Sequence, residues 1–128
     1  MLLLQAVTAY LAVTQMIQSE WEYDLAYALV LLKKELQPHV DFYGAEELKL
    51  AEEFGKKDEN GKVIYQNGAS FECVDAQAGR EYNKKRNELG ALEIEFAWKC
   101  RKVKAPKTIK ATYLEALYGL IEFEMQEG

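Results

Sequence analysis

Apolar residues recur at steps of three and four along both ends of the chain, and the step changes to two at one place. Near the start, Leu3, Val7, Tyr10, Leu11, Thr14 and Ile17 share one face at helical spacing. Ser19-Glu20-Trp21-Glu22 then has the Ser-x-x-Glu form of a capping box, which predicts a second helix starting there. Its stripe is Trp21, Leu25, Ala28, Leu29, Leu32 and Leu36, and the pattern resumes beyond Pro38 with Val40, Tyr43, Leu48, Ala51 and Phe54. Pro38 lacks an amide proton and disfavours helical angles at Gln37, so a kink or break is expected there. An unbroken helix over 20–54 would span about 52 Å at 1.5 Å per residue. The short turn between the first two helices makes them an antiparallel pair.

Farther along, Val74, Ala78, Tyr82 and Leu89 predict a third helix with a thin apolar face, lying outside the core and stopped by Gly90. In "LEIEFAWKCRK" the period becomes two: Leu92, Ile94, Phe96, Trp98 and Cys100 alternate with Glu93, Glu95, Ala97, Lys99 and Arg101, the pattern of a half-buried strand. A lone strand leaves its backbone unpaired. This one requires an edge from Val63–Tyr65, from the segment around Ile109, or from another chain. Thr112-Tyr113-Leu114-Glu115 is a second capping-box pattern, and Tyr113, Leu114, Leu117, Leu120 and Ile121 predict a short final helix before an acidic tail with Glu124 and Glu127.

Between the second and third helices, "KKDENGKVIYQNGASFECVD" carries Asn60-Gly61 and Asn67-Gly68. Asp58 and Asn60 would suit the first positions of an EF-hand loop. The glycine arrives two residues early, however, and Ala69 stands where the closing glutamate belongs. Two Asn-Gly pairs instead favour turns with positive φ, and the stretch reads as a surface excursion with a small hairpin and no ligand.

Composition adds limits rather than a site. The chain has 128 residues, 49% hydrophobic and 29% charged, which suits one globular domain and not a disordered segment. Cys73 and Cys100 lie far apart and the one histidine, His39, is near neither, so the four ligands of a structural zinc site are not offered. Cys73 has no signature of an activated thiol, and Cys100 falls on the apolar side of its strand as a small buried hydrophobe. There is no phosphate-binding glycine loop and no Gly-x-Ser-x-Gly elbow. Glu46-Glu47 and Glu52-Glu53 read as solvated helix faces; Glu93 and Glu95 share a strand face but lack the further acids a metal-dependent hydrolase needs. The first twenty residues have no basic start and are interrupted by Gln5, Thr8, Thr14 and Gln15, so they read as a helix and not as a signal peptide. No run of about 18 apolar residues occurs, and no membrane association is expected.

Charge is unevenly placed. Residues 1–54 hold nine acids and three bases, a net of −6, whereas 99–110 hold six bases and no acid: Lys99, Arg101, Lys102, Lys104, Lys107 and Lys110. Such segregation steers association. It fits a basic strap that neutralises the protein's own acidic helices, a strap that binds a protein partner, or, third, one that binds a nucleic-acid backbone. Stacking on single strands would need aromatics among these bases, and 99–110 has none.

The order of "DLAYALVLLKKEL", "EFGKKDENGKV", "EYNKKRNELGALEIEF" and "YLEALYGLIEF" resembles a family of small bacteriophage and prophage proteins that carries no established activity. The similarity covers nearly the whole chain, most specifically at Gly55, Lys57, Asp58 and Gly61 and at Asn83, Glu88 and Leu89. It implies a phage gene product and supplies no catalytic residues. The fold class expected is α+β, mostly helical, in a single domain, 1–128: an N-terminal antiparallel helix pair, a polar turn-rich loop, a third helix, one strong strand in a small sheet and a short C-terminal helix. The expected function is non-catalytic, without metal or cofactor: binding a host or virion protein through the six bases in the host bacterial cytoplasm, with nucleic-acid binding as the alternative. A homodimer formed through helices or a strand edge is expected as well.

Overall fold

The computed structural model describes residues 1–68 and 70–125; Glu127 of the acidic tail lies outside them. The architecture is α+β and mostly helical. It runs α1 (Leu3–Met16), α2 (Tyr23–Phe54), β1 (Tyr65–Gln66), β2 (Ser70–Phe71), α3 (Ala76–Gly90), β3 (Arg101–Lys104), α4 (Ala111–Ala116) and β4 (Ile121–Glu124).

The two long helices form the antiparallel pair. Leu3 shares a buried cluster with Tyr43, and the Tyr10 hydroxyl donates to Gln37 Oε1 at 2.7 Å, so the start of α1 lies beside the middle of α2. The face α1 buries is Leu3, Ala6, Ala9, Ala12, Val13 and Met16, a correction to the expected stripe: Leu11 is exposed and Val7, Tyr10 and Thr14 are half-buried. Ala6, Ala9 and Ala28 are fully buried where α1 and α2 pack together; Ala6 and Ala9 are absent from the expected α1 stripe, which consists of larger side chains. On α2 the expected Leu25, Ala28, Leu29, Leu32 and Leu36 are all buried, as are Tyr43, Ala51 and Phe54; Leu48 is exposed. Each buried leucine contributes about 1.5–3 kcal/mol from area removed from water.

The joint differs from the expected capping box. Ser19 belongs to the turn that ends α1, its amide donating to Met16 O at 3.0 Å, and Trp21 Nε1 donates to the same carbonyl at 2.6 Å. With Ser19 committed there, α2 starts three residues later, with Glu22 in the cap position and no side-chain cap bond. The helix then continues through Pro38 for 32 residues, about 48 Å. Proline leaves the carbonyl four residues earlier without its donor. Lys34 and Pro38 both lie on the exposed face, so that carbonyl is on the solvent side of the helix.

The excursion after α2 is a tight cluster of turns. Asp58 Oδ1 accepts from the amides of Asn60 (2.8 Å) and Lys62 (3.0 Å), and Gly61 has φ 77°. Asn67 and Gly68 take φ 50° and 87° between β1 and β2, which pair antiparallel, Tyr65 with Phe71 and Gln66 with Ser70. The hairpin is anchored by rings: Phe71 meets Tyr82 edge-on at 5.2 Å, and Tyr82 meets Phe54 at 6.5 Å. Helix α3 starts two residues after Val74, which is exposed, because Asp75 caps it by accepting from Ala78 N at 2.8 Å. Gly90 is its last residue. A Cβ there would stand 3.2 Å from Leu4 Cβ, so the glycine lets α3 close on α1 rather than turning the chain.

The alternating segment forms no regular strand from Leu92 to Cys100. It is extended, bridges Leu2 through Glu93, and its Ile94, Phe96 and Trp98 are half-buried against the core, while Leu92 and Cys100 are exposed. The buried Cys100 expected from the alternation is thus corrected: the pattern fades at the strand that follows. β3 occupies Arg101–Lys104, and its partner is none of the three expected edges. It pairs in parallel with β4, Arg101 beside Ile121, Lys102 beside Glu122, Val103 beside Phe123 and Lys104 beside Glu124. Parallel neighbours need a crossover of a dozen or more residues, and the stretch holding α4 supplies it. The final helix is accordingly shorter than expected. Lys110 takes the cap position with no side-chain cap bond, Gly119 at φ 81° turns the chain, and Leu117, Leu120 and Ile121 are buried by the turn and strand; Leu114 is exposed. Trp98 Nε1 donates to Leu120 O at 2.8 Å and pins the extended segment to this turn.

Candidate partner-binding surface

The six bases fall on a continuous stretch: Lys99 before β3, Arg101, Lys102 and Lys104 on it, Lys107 in the loop and Lys110 at the head of α4, all exposed. Among the described residues none of the six forms an ion pair within 4.0 Å. The acids of α2 are met elsewhere: Glu47 pairs with Arg86 at 3.3 Å and Glu53 with Lys85 at 3.0 Å, both from α3.

Contact between strap and acidic helix is made by backbone instead. Asp24 Oδ2 accepts from Lys104 N at 3.0 Å, and its other oxygen accepts from Leu25 N at 2.9 Å. The Lys104 amide holds the Asp24 carboxyl below its usual range, against desolvation, which pushes the other way. The bond occupies the outer edge of β3, whose other edge pairs with β4. Two strap lysines do have acids for neighbours, since Lys102 and Lys104 are in register with Glu122 and Glu124. Arg101 lies over the Tyr27 ring at 5.5 Å, and Tyr27 stacks on Tyr23 at 5.9 Å with 5° between planes; Lys110 lies over Tyr113 at 5.7 Å.

The two tyrosines were not singled out from the sequence as part of this surface. Their signal was legible all the same: at spacing of four and off the Leu25, Ala28, Leu29 stripe, they had to face water. The aromatics missing from 99–110 thus come from the start of α2.

The other residues singled out do not converge. His39 meets the Phe96 ring edge-on at 5.9 Å. Cys73 is half-buried beside the Tyr82–Arg86 groove, where burial pushes the Tyr82 phenol up. Glu93 lies 3.6 Å from the terminal ammonium, and Glu95 is exposed. Among the described residues no three His, Cys, Asp or Glu side chains are grouped as a metal site, and no helix is long and apolar enough to cross a membrane. An open groove of about 1180 Å³ runs between the start of α1, the end of α3 and α4, with Leu4, Phe96, Trp98 and Tyr118 in its walls.

Comparison with protein-family models, with curated proteins and with solved structures finds no match for the chain.

Proposed function

We propose that the chain is a phage-encoded, non-catalytic protein that binds an acidic surface of a host or virion protein through Lys99, Arg101, Lys102, Lys104, Lys107 and Lys110, in the host bacterial cytoplasm. The observation that carries the binding reading is that all six bases are exposed and, among the described residues, none is spent in an ion pair. A fixed β3 with exposed cationic side chains presents a preorganised field, which speeds encounter with an acidic partner. Phage origin rests on the resemblance at Gly55, Lys57, Asp58, Gly61, Asn83, Glu88 and Leu89.

The test is affinity capture from infected or lysogenic cells with the wild type and with Lys99→Glu/Lys107→Glu/Lys110→Glu, three positions with no strand partner. A specific host or virion protein retained by the wild type and lost by the triple variant is expected. Capture unaffected by the variant refutes the assigned surface. Nucleic-acid binding is the second reading, favoured by the Tyr23–Tyr27 stack beside Arg101, which provides aromatic faces next to bases. Recovery of nucleic acid alone would put it first.

A further inference from the structure

The excursion between α2 and α3 exposes two Asn-Gly pairs, Asn60-Gly61 and Asn67-Gly68, and the fold holds them differently. Both are primed for the same chemistry. The backbone nitrogen that follows an asparagine can close a five-membered ring on its side-chain amide carbon, and a following glycine has no Cβ to block that approach. A Cβ added to Gly61 or to Gly68 would meet nothing within 4 Å, so packing shields neither turn.

The difference lies in where each glycine nitrogen is committed. Asn60 sits in a loop closed by Asp58 N donating to Lys62 O at 2.8 Å. Within it the Gly61 amide donates to Asp58 O at 3.0 Å, and Asp58 Oδ1 accepts from the amides of Asn60 and Lys62. Attack by the Gly61 nitrogen therefore waits on local opening of that turn. Asn83 and Asn87 lie within α3, where the amides of Lys84 and Glu88 belong to the helical ladder. The Gly68 amide has no such commitment. Among the described residues it makes no hydrogen bond, and neither does the Asn67 side chain. Asn67 is also the one described non-glycine residue with positive φ, at 50°. Two residue pairs hold its hairpin, Tyr65 with Phe71 and Gln66 with Ser70, and the packing against Tyr82 is at Phe71, away from the tip.

We propose that Asn67 is a modification site: in the folded chain it deamidates spontaneously through a cyclic imide with Gly68, ahead of Asn60, Asn83 and Asn87. The Gly68 nitrogen bonds to Asn67 Cγ, its proton passes through water to the side-chain nitrogen, and the Cγ–Nδ2 bond breaks to release ammonia. Water then opens the imide. Addition at Cγ restores the ordinary peptide link and leaves aspartate; addition at the backbone carbonyl carbon leaves isoaspartate, linked through Cγ. Only water is consumed, and nothing is oxidised or reduced. Either product adds a negative charge to a chain already at −5. Isoaspartate also puts an extra methylene into the backbone between β1 and β2, which disturbs the register that sets Tyr65 beside Phe71. The site is independent of the basic strap.

The folded chain and the chain held in concentrated guanidinium chloride are incubated in the same mildly alkaline buffer, digested, and mapped for asparagine, aspartate and isoaspartate forms of each peptide. Unfolded, the two Asn-Gly pairs are expected to react at like rates. Folded, Asn67 is expected to stay within about threefold of its unfolded rate while Asn60 slows by about tenfold or more, with Asn83 and Asn87 slower still. Gly68→Ala is expected to slow Asn67 by about tenfold and leave Asn60 unchanged, because the added methyl crowds the attacking nitrogen; circular dichroism checks that this variant is folded. Asn60 reacting as fast as Asn67 in the folded chain overturns the proposal. So does an Asn67 that folding slows by about tenfold or more. Aspartate formed at Asn67 without isoaspartate, or at a rate indifferent to Gly68→Ala in the folded variant, overturns the imide route. The comparison of folded with unfolded wild type decides the site even where Gly68→Ala fails to fold.

Discussion

Reversing the strap charges tests how the strap is held, because β3 and β4 divide the six bases into two groups. Lys102 and Lys104 stand beside Glu122 and Glu124 in the parallel register, at the roughly 4.8 Å spacing of neighbouring strands. Cross-strand opposite charges contribute about 0.2–1 kcal/mol, and like charges cost a similar amount. Both lysines are exposed and neither closes to within 4.0 Å of an acid, which puts each pair near the low end, about 0.3 kcal/mol. Lys102→Glu/Lys104→Glu loses two attractions and gains two repulsions, a swing of about 1 kcal/mol. For a chain of 128 residues that lowers Tm by about 3–5 °C. Lys99→Glu/Lys107→Glu/Lys110→Glu has no registered acid to oppose and should change stability within about 0.5 kcal/mol. Thermal melts at low salt and at 1 M salt, where the screening length is about 3 Å, read both sets. Most of the loss in the double variant should vanish at high salt, and adding Glu122→Lys/Glu124→Lys should restore it at low salt. A double variant as stable as the wild type, or a loss indifferent to salt, refutes the argument.

Further outcomes follow from the geometry elsewhere. Pro38→Ala restores an amide donor to the carbonyl of Lys34 in an exposed stretch of α2 and should raise Tm, with a stability gain of about 1 kcal/mol or more in urea melts. Gly55→Ala would place a Cβ 2.6 Å from Ala51 O and 3.0 Å from the Phe71 ring, and since a helix carbonyl does not yield, a loss of about 1–3 kcal/mol in the same melts is expected. Asp24→Ala removes the acceptor of the Lys104 amide. Because the native carboxyl titrates below its unfolded value, its contribution is present above about pH 4 and fades as pH falls through the native value, so the difference in urea midpoint between wild type and variant should be full at pH 7 and shrink as the pH is lowered below about 4.

The sequence alone determined the long-range plan. Leu25, Ala28, Leu29, Leu32 and Leu36 fix the buried face of α2 because helical spacing of large apolar groups admits few other readings, and two Asn-Gly pairs fix the turns of the excursion because few other residues accept positive φ. The six bases of the strap were visible as a run, and the structure leaves them exposed. What only tertiary structure decided were the places where local signals competed. Ser19 could cap α2 or close α1, and Trp21 reaching back to Met16 settles it. The alternation of Ile94, Phe96 and Trp98 states which side faces inward, but a ladder also needs a neighbour in register. Among the described residues the segment has only the single bridge of Glu93 to Leu2, and the ladder forms farther on, at Arg101–Lys104, against four residues of β4 that by periodicity continue a helix and by Gly119 leave it. Likewise, no spacing within 99–110 could place Tyr23 and Tyr27 beside Arg101, because that contact joins residues more than seventy positions apart and exists only once α2 and β3 are packed together.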